Sequence, residues 1–303
     1  MDPWRYARCM GNAIQHPHNG VKVLVGVDLS GSYRPVLDFL IRLQFSSLEV
    51  HLLHCVEAIV PDGFVPGQVP TSGLSEIYEE LRRDGAVELD HAASRLSSKG
   101  IPVTKVQAFG NAGSELVDYA RAHDIDLVAV FSRTHGAWES FFFGSVAKAL
   151  VQAAPCSVLV LKSENLGSGE VSAVLATDHS PYMDQCLAEF KRLRPHLGSL
   201  TVVCAEDRLP ILAGSEEKAL VEYRQKTESL AEDLSALVPA TQGRYVDDHL
   251  RNAIRSVMTD SKAELLLMGA QGHRFLDRIM LGSQSFAQVV VEPHNVLVLR
   301  PKG

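Results

Sequence analysis

The sequence predicts an α/β protein made of two tandem doubly wound parallel sheets flanked by helices. Three observations carry that prediction. The chain repeats itself: "GSVAKALVQAAPCSVLVLK" begins at Gly144 and "GSQSFAQVVVEPHNVLVLR" at Gly282, and Pro155 and Pro293 keep the same offset. Within each copy, short uninterrupted apolar runs alternate with amphipathic helical patterns, as strands buried on both faces and joined by crossover helices require. The length of 303 residues suits two domains. Right-handed crossovers then restrict the topology to a doubly wound sheet, whose ligands sit beyond the carboxyl ends of the strands.

In the first copy the apolar runs Val23–Val27, Val50–Val56, Val103–Ala108, Leu127–Phe131 and Val158–Val160 predict five strands, being short, β-branched and bounded by turn residues. Val36, Leu37, Leu40, Ile41 and Leu43 make the apolar face of a first helix. Ile77, Leu81, Leu89 and Leu96 make that of a long charged one, and Leu116, Val117 and Ala120 that of a third. The second copy repeats the scheme. A strand at Val174–Thr177 leads to Ser180 as N-cap and Pro181 at the first helical position, with Met183, Leu187, Phe190 and Leu193 facing inward. A strand at Leu200–Cys204 follows, then a helix from about Ser215 to Leu237 and a short strand around Tyr245. A helix through Leu250, Ile254 and Val257 and the strand "ELLLMG" come next. The small, polar, Gly-rich stretch Ser163–Gly169 reads as the linker. The expected organisation is an N-terminal arm (1–20), a first domain (21–163) and a second domain (170–303).

Hydrophobic residues at 46% and charged residues at 21% fit a soluble globular protein, and a net charge of −7 argues against broad binding to nucleic acid or anionic membrane. No apolar run reaches the length of a transmembrane helix, and the start shows no secretory signal. Five scattered cysteines, an odd number, suit buried thiols better than a disulfide framework. A cytoplasmic location is the expectation.

The stretch "MGAQGHRFLDRIMLGSQS" (Met268–Ser285) needs a chemical account. A strand ends at Gly269, Gly272 follows, and nine residues later Gly282-Ser283 opens a helical pattern. Glycines let a ligand approach the main chain, and the amides of a helix N-terminus, with the Ser283 and Ser285 hydroxyls, suit a phosphate. Neither a Walker-type loop nor a dinucleotide fingerprint is present. Gly-x-Ser-x-Gly, His-Glu-x-x-His and Cys-x-x-Cys are also missing, and no catalytic residue is assigned. The same glycines also fit a plain turn.

The spacing Gly-x2-Gly-x9-Gly-Ser, met by Gly269, Gly272, Gly282 and Ser283, resembles the nucleotide-binding motif of the universal stress protein family. The likeness extends to strands ending in Asp28-Leu29-Ser30 and Asp178-His179-Ser180, to the repeated "VLVL" strands, and to nearly the whole chain after the first 20 residues. The resemblance implies a five-stranded sheet of order 3-2-1-4-5 in each half. It also implies antiparallel pairing of the final strands, Val158–Leu161 with Val296–Leu299, which would make an internal pseudo-twofold dimer. It implies ATP at the carboxyl edge, with Asp178 facing the ribose or a metal-bound phosphate and main-chain amides near Gly269, Gly272, Gly282, Ser283 and Gln284 taking phosphates. Ser285 would add a hydroxyl, and the main chain at Ala205 would meet adenine. Mg²⁺ bridging the phosphates is compatible with this set. An unidentified protein partner and a further homodimer are compatible with it too.

The two copies differ. Aligned on Gly144-Ser145, Phe131 stands where Gly269 does and Thr134 where Gly272 does, so nucleotide is expected in the second half and a degenerate site in the first. A phenylalanine at the strand exit is expected to fill or reshape the space a ribose or phosphate needs. His179 is open to two roles, a phosphate contact or a solvent-facing side chain. Asp28 and Asp178 also fit as neighbours of a helix cap. His51 and His54, three apart on a strand, fall on opposite faces and cannot share a metal. His16 and His18 read as part of a terminal arm, Arg82-Arg83 as a solvated helix face, and Val60–Gly73 as a lid or a surface loop. Four functions stay open: an ATP-binding stress-response module without efficient catalysis, a slow ATP hydrolase or phosphotransferase, a nucleotide-free dimeric scaffold, and a flavin-binding doubly wound domain.

Overall fold

The structure, a computed structural model, describes residues 20–57, 74–132, 144–164, 166–205, 216–270 and 293–302. The first half runs β1 (Val21–Gly26), α1 (Arg34–Arg42), β2 (Leu48–Val56), α2 (Leu74–Ser97), β3 (Val103–Phe109), α3 (Ala112–Ala122), β4 (Leu127–Phe131), α4 (Ser145–Ala153) and β5 (Ser157–Leu161). The second runs β6 (Ser172–Ala176), α5 (Pro181–Leu193), β7 (Ser199–Ala205), α6 (Glu216–Ser235), β8 (Thr241–Val246), α7 (Leu250–Asp260), β9 (Leu265–Gly269) and β10 (Asn295–Leu299). The helix expected after Gly282 lies outside the described residues, as do Thr134, Val60–Gly73 and residues 1–19 of the arm.

All ten strands form one sheet in the order β3-β2-β1-β4-β5-β10-β9-β6-β7-β8. Read from either edge, each half has the order 3-2-1-4-5. Pairing within a half is parallel, as in β1 on β2 and β6 on β7. The halves meet antiparallel, with Val296 opposite Val160, Leu297 opposite Leu159 and Val298 opposite Val158. The offset between Gly144 and Gly282 holds in the hydrogen bonding: Ser132 N–H donates to Leu161 O (2.7 Å) and Ala270 N–H to Leu299 O (2.8 Å).

The central strands bury both faces, which their unbroken Val/Leu runs require. One apolar layer packs α1, α2, α5 and α6 on one face through Phe39, Leu89, Phe190 and Leu234. The other packs α3, α4 and α7 through Leu116, Leu150 and Ile254. Both layers run through both halves. Ser180 caps α5 as expected, its hydroxyl accepting Met183 N–H at 3.2 Å, and Arg194 ends the helix at φ +46. One expectation fails on α2: Leu89 and Leu96 are buried, but Ile77 is 42% exposed. Leu81 already lines the space at the strand ends. The preceding turn, at 1.5 Å per residue, therefore projects beyond the sheet.

A polar clasp accompanies the seam. Asp126, at the start of β4, accepts the Lys22 N–H (2.7 Å) and faces Arg192 (2.7 Å) and Lys302 (2.7 Å) from the second half. Arg192 also holds Glu189 (2.7 Å), and Lys302 holds Asp124 (2.8 Å). Asn295 closes the opposite end of the β5–β10 pair, its side-chain oxygen accepting the N–H groups of Lys162 (3.0 Å) and Ser163 (3.2 Å).

Candidate functional site

The expected site residues that are described converge on one edge of the second half. β6 pairs with β7 on one side (Ala176 opposite Val203) and with β9 on the other (Leu175 opposite Leu267). Carried on by two residues, that register sets Asp178 level with Ala205 and Thr177 level with Gly269. The crevice lies where the chain's crossovers change direction, the position at which doubly wound sheets hold ligands. Gly272, Gly282, Ser283, Gln284 and Ser285 lie outside the described residues.

Among the described residues, Asp178 is anchored by one oxygen. Its Oδ1 accepts Ser180 N–H at 3.0 Å, which ties it to the start of α5. Its Oδ2 is buried and has no hydrogen-bond partner among the described residues. A carboxylate oxygen left so costs folding free energy unless something donates to it, and an ionised carboxylate can only accept.

His179 does something neither expected role described. It adopts φ +53, its N–H donates to Thr177 Oγ1 at 3.0 Å, and its ring turns toward α6. There Nε2 lies 2.9 Å from Thr227 Oγ1, and that hydroxyl donates to Tyr223 O at 2.7 Å. Since the hydroxyl proton is committed, Nε2–H donates to Thr227. Burial, then Lys226, lowers the His179 pKa from its ordinary value. The ring thus fastens the strand-end turn to α6 while staying partly exposed. Sequence gave no sign of Thr227 as its partner.

The first half differs at the same places. Asp28 accepts three donors from its own turn: the Ser32 N–H (3.0 Å), the Ser32 hydroxyl (2.8 Å) and the Ser30 hydroxyl. It thereby organises the turn that precedes α1, whose N-cap, Tyr33, makes no side-chain cap hydrogen bond. Leu29 stands in the place of His179 and is 41% exposed. Phe131 ends β4 opposite Leu161, as Gly269 ends β9 opposite Leu299. Phe131 nevertheless leaves room: a cleft of about 490 Å³ opens at the ends of β1, β2 and β4, with Phe131, Val130 and Leu116 among its walls and Asp28, Cys55 and Glu57 at its polar side. Cys55 corresponds to Ala205 in the repeat. Burial pushes its thiol up to about 12, and its S–H donates to Gly110 O at 3.2 Å.

His51 and His54 stay apart as expected. His51 bonds Tyr119 (2.8 Å) and Glu49 (3.1 Å), while His54 bonds Val27 O (2.8 Å). Among the described residues no group of three His, Cys, Asp or Glu side chains is arranged to hold a metal, and no helix is long and apolar enough to cross a membrane.

The Universal stress protein family model matches residues 21–162 and again 172–300. The chain belongs to that family. It is a tandem member, with one matched segment in each half of the sheet. Among curated relatives, Universal stress protein YxiE of Bacillus subtilis is 28% identical over 145 residues, covering 46% of this chain and 98% of its own. Among solved structures, a universal stress protein from Archaeoglobus fulgidus DSM 4304 superposes with a TM-score of 0.67 at 17% identity, covering 95% of this chain and 100% of that one. A protein described as a putative universal stress protein, from Pseudomonas aeruginosa UCBPP-PA14, gives 0.58 at 15% identity, covering 93% of this chain and 94% of that one. These likenesses concern the fold. They agree with the α/β architecture and its duplication.

Proposed function

We propose that the second domain, 170–303, binds ATP with Mg²⁺, and that the protein serves the stress response as a nucleotide-dependent binding or signalling module without efficient catalysis. The observation that carries this reading is the buried Oδ2 of Asp178, without a partner among the described residues, at the switch point, one strand from the glycine exit of β9. That oxygen fits a hydroxyl donor such as a ribose, or a cation. The Gly269, Gly272, Gly282-Ser283 spacing supports phosphate acceptance by main-chain amides. Asp178 and the main chain at Ala205 would orient the nucleoside, and the glycine segment would hold the phosphates. A metal would be held mainly by those phosphates, since Mg²⁺ takes few protein ligands.

The test is to denature freshly purified protein and identify the released nucleotides by mass spectrometry, with stoichiometry. One ATP per chain is expected. Two per chain would overturn the distinction between the halves. None, with no thermal shift on adding ATP and Mg²⁺, would overturn the reading and leave a nucleotide-free scaffold.

A further inference from the structure

The two halves leave their first strands by different turns. After β1 the chain takes the turn 28–33 before α1 starts at Arg34, with Gly31 at φ +76 making the reversal. After β6 the counterpart of Gly31 is Pro181, which is already the first residue of α5. The left-handed position has moved to His179, at φ +53. Glycine takes that conformation freely. A histidine takes it at a cost, and such strain persists only where the surroundings hold it.

Two hydrogen bonds hold it here. His179 N–H donates to Thr177 Oγ1 at 3.0 Å, on its own strand end, and the ring Nε2–H donates to Thr227 Oγ1 at 2.9 Å, on α6. Thr227 is 1% exposed, and its hydroxyl proton goes to Tyr223 O at 2.7 Å, so the helix itself fixes the acceptor. Leu29, in the equivalent place of the first half, has no polar group with which to make the second bond.

The shorter turn changes what the aspartate meets. In the first half the longer turn brings the Ser30 and Ser32 hydroxyls and the Ser32 N–H onto Asp28. In the second half Tyr182 stands where Ser32 does, and the Ser180 hydroxyl accepts Met183 N–H instead, as the cap of α5. Among the described residues, Asp178 receives the Ser180 N–H alone.

We propose that His179 is a positioning residue of the nucleotide site. Clamped to Thr227, it holds the strand-end turn in the short form that withholds the turn's own hydroxyls from Asp178 and keeps that carboxylate for the ligand. This role rests on the reading of the second half as an ATP site. Released from Thr227, the turn relaxes and Asp178 loses its fixed place.

Two measurements on the full chain separate the clamp from the nucleotide. Long-range ¹H–¹⁵N spectra of nucleotide-free protein at mildly alkaline pH read the His179 ring, identified by its absence in His179→Asn. A neutral ring with its proton on Nε2 is expected, and Thr227→Val should alter that signature. Calorimetry with ATP and Mg²⁺ then compares variants. Thr227→Val should weaken ATP about fivefold, the effect of one hydrogen bond, and so should His179→Asn, since asparagine tolerates the left-handed conformation but lacks the ring. The double variant should lose no more than either alone, because both act through one bond. Thr227→Ser, which keeps the hydroxyl, should stay within about twofold of the wild type. Arg192→Leu, which loosens the far end of α5, should lower stability yet leave ATP affinity within about twofold. A merely structural role for His179 would make affinity follow stability in all of these. His179→Asn, at a half-buried position, carries the test by itself if the buried Thr227→Val variant does not fold.

A ring proton on Nδ1, or a ring signal indifferent to Thr227→Val, would overturn the clamp whatever ATP does. Wild-type affinity in His179→Asn, or additive losses in the double variant, would overturn the role of His179 and leave the ATP reading standing. No binding of ATP by the wild type would overturn that reading, and the role with it.

Discussion

Replacing the strand-end aspartate by alanine should have opposite consequences in the two halves. In the first half, Asp28→Ala removes the acceptor of three bonds, from Ser32 N–H at 3.0 Å, the Ser32 hydroxyl at 2.8 Å and the Ser30 hydroxyl. At a net ~0.5–1.5 kcal/mol each, discounted because the turn is partly exposed, the loss is about 1–2 kcal/mol. In the second half, Asp178→Ala removes one bond, from Ser180 N–H at 3.0 Å, together with an oxygen that is buried without a partner among the described residues. The lost bond and the relieved burial are each of order 1 kcal/mol, so the net change in nucleotide-free protein should lie within about 0.5 kcal/mol of zero. ATP affinity should behave the other way, falling sharply in Asp178→Ala and holding in Asp28→Ala. Urea denaturation of nucleotide-free protein gives the first pair of numbers and calorimetry the second. Equal destabilisation by the two substitutions would refute the account of the orphaned oxygen, and unchanged ATP binding in Asp178→Ala would refute its assignment to the ligand.

Arg192→Leu should destabilise the full chain by about 2–3 kcal/mol in urea melts, because Asp126 and Glu189, both nearly buried, lose a shared cation. Gly243→Ala should cost about 1–3 kcal/mol by the same measurement, since a Cβ there would lie 2.9 Å from the Thr227 carbonyl oxygen and α6 must shift. Gly169→Ala, which meets nothing within 4 Å, should be close to neutral. Stability should also fall in acid through His51 and His179, whose pKa values are lowered from 6.5, chiefly by burial. The folded state binds fewer protons at these rings than the unfolded chain does. Their contribution is therefore complete above about 6.5 and is lost as pH falls from there through the folded values. Urea melts against pH should show this slope, and a His51→Gln, His179→Gln double variant should show a shallower one.

The duplicated architecture was legible because it is written as periodic local pattern. Gly144 and Gly282, Pro155 and Pro293, and the "VLVL" runs keep one offset, and the structure pairs those runs antiparallel at the seam. Capping by Ser180 was legible for the same reason, being decided within three residues. The surroundings of single polar side chains were not. His179 finds Thr227 across 48 residues, and Asp126 meets Arg192 across 66; no spacing rule connects either pair. Ile77 had the helical period of a core residue, yet periodicity is blind to where the sheet ends. In the first half, a glycine replaced by Phe131 reads as loss of a site. The retained cleft depends on where that ring lies, which composition does not encode.

The antiparallel seam between β5 and β10 has a consequence for how the halves could diverge. In an assembly of two identical chains, every substitution appears twice, and association depends on protein concentration. Here both partners share one covalent chain, so the encounter is intramolecular and the pairing persists on dilution. One half can lose a glycine or gain a carboxylate without imposing that change on the other. The continuous sheet thereby joins two independently mutable strand-end edges in one chain, a broken symmetry that two separately made identical subunits have no means to hold.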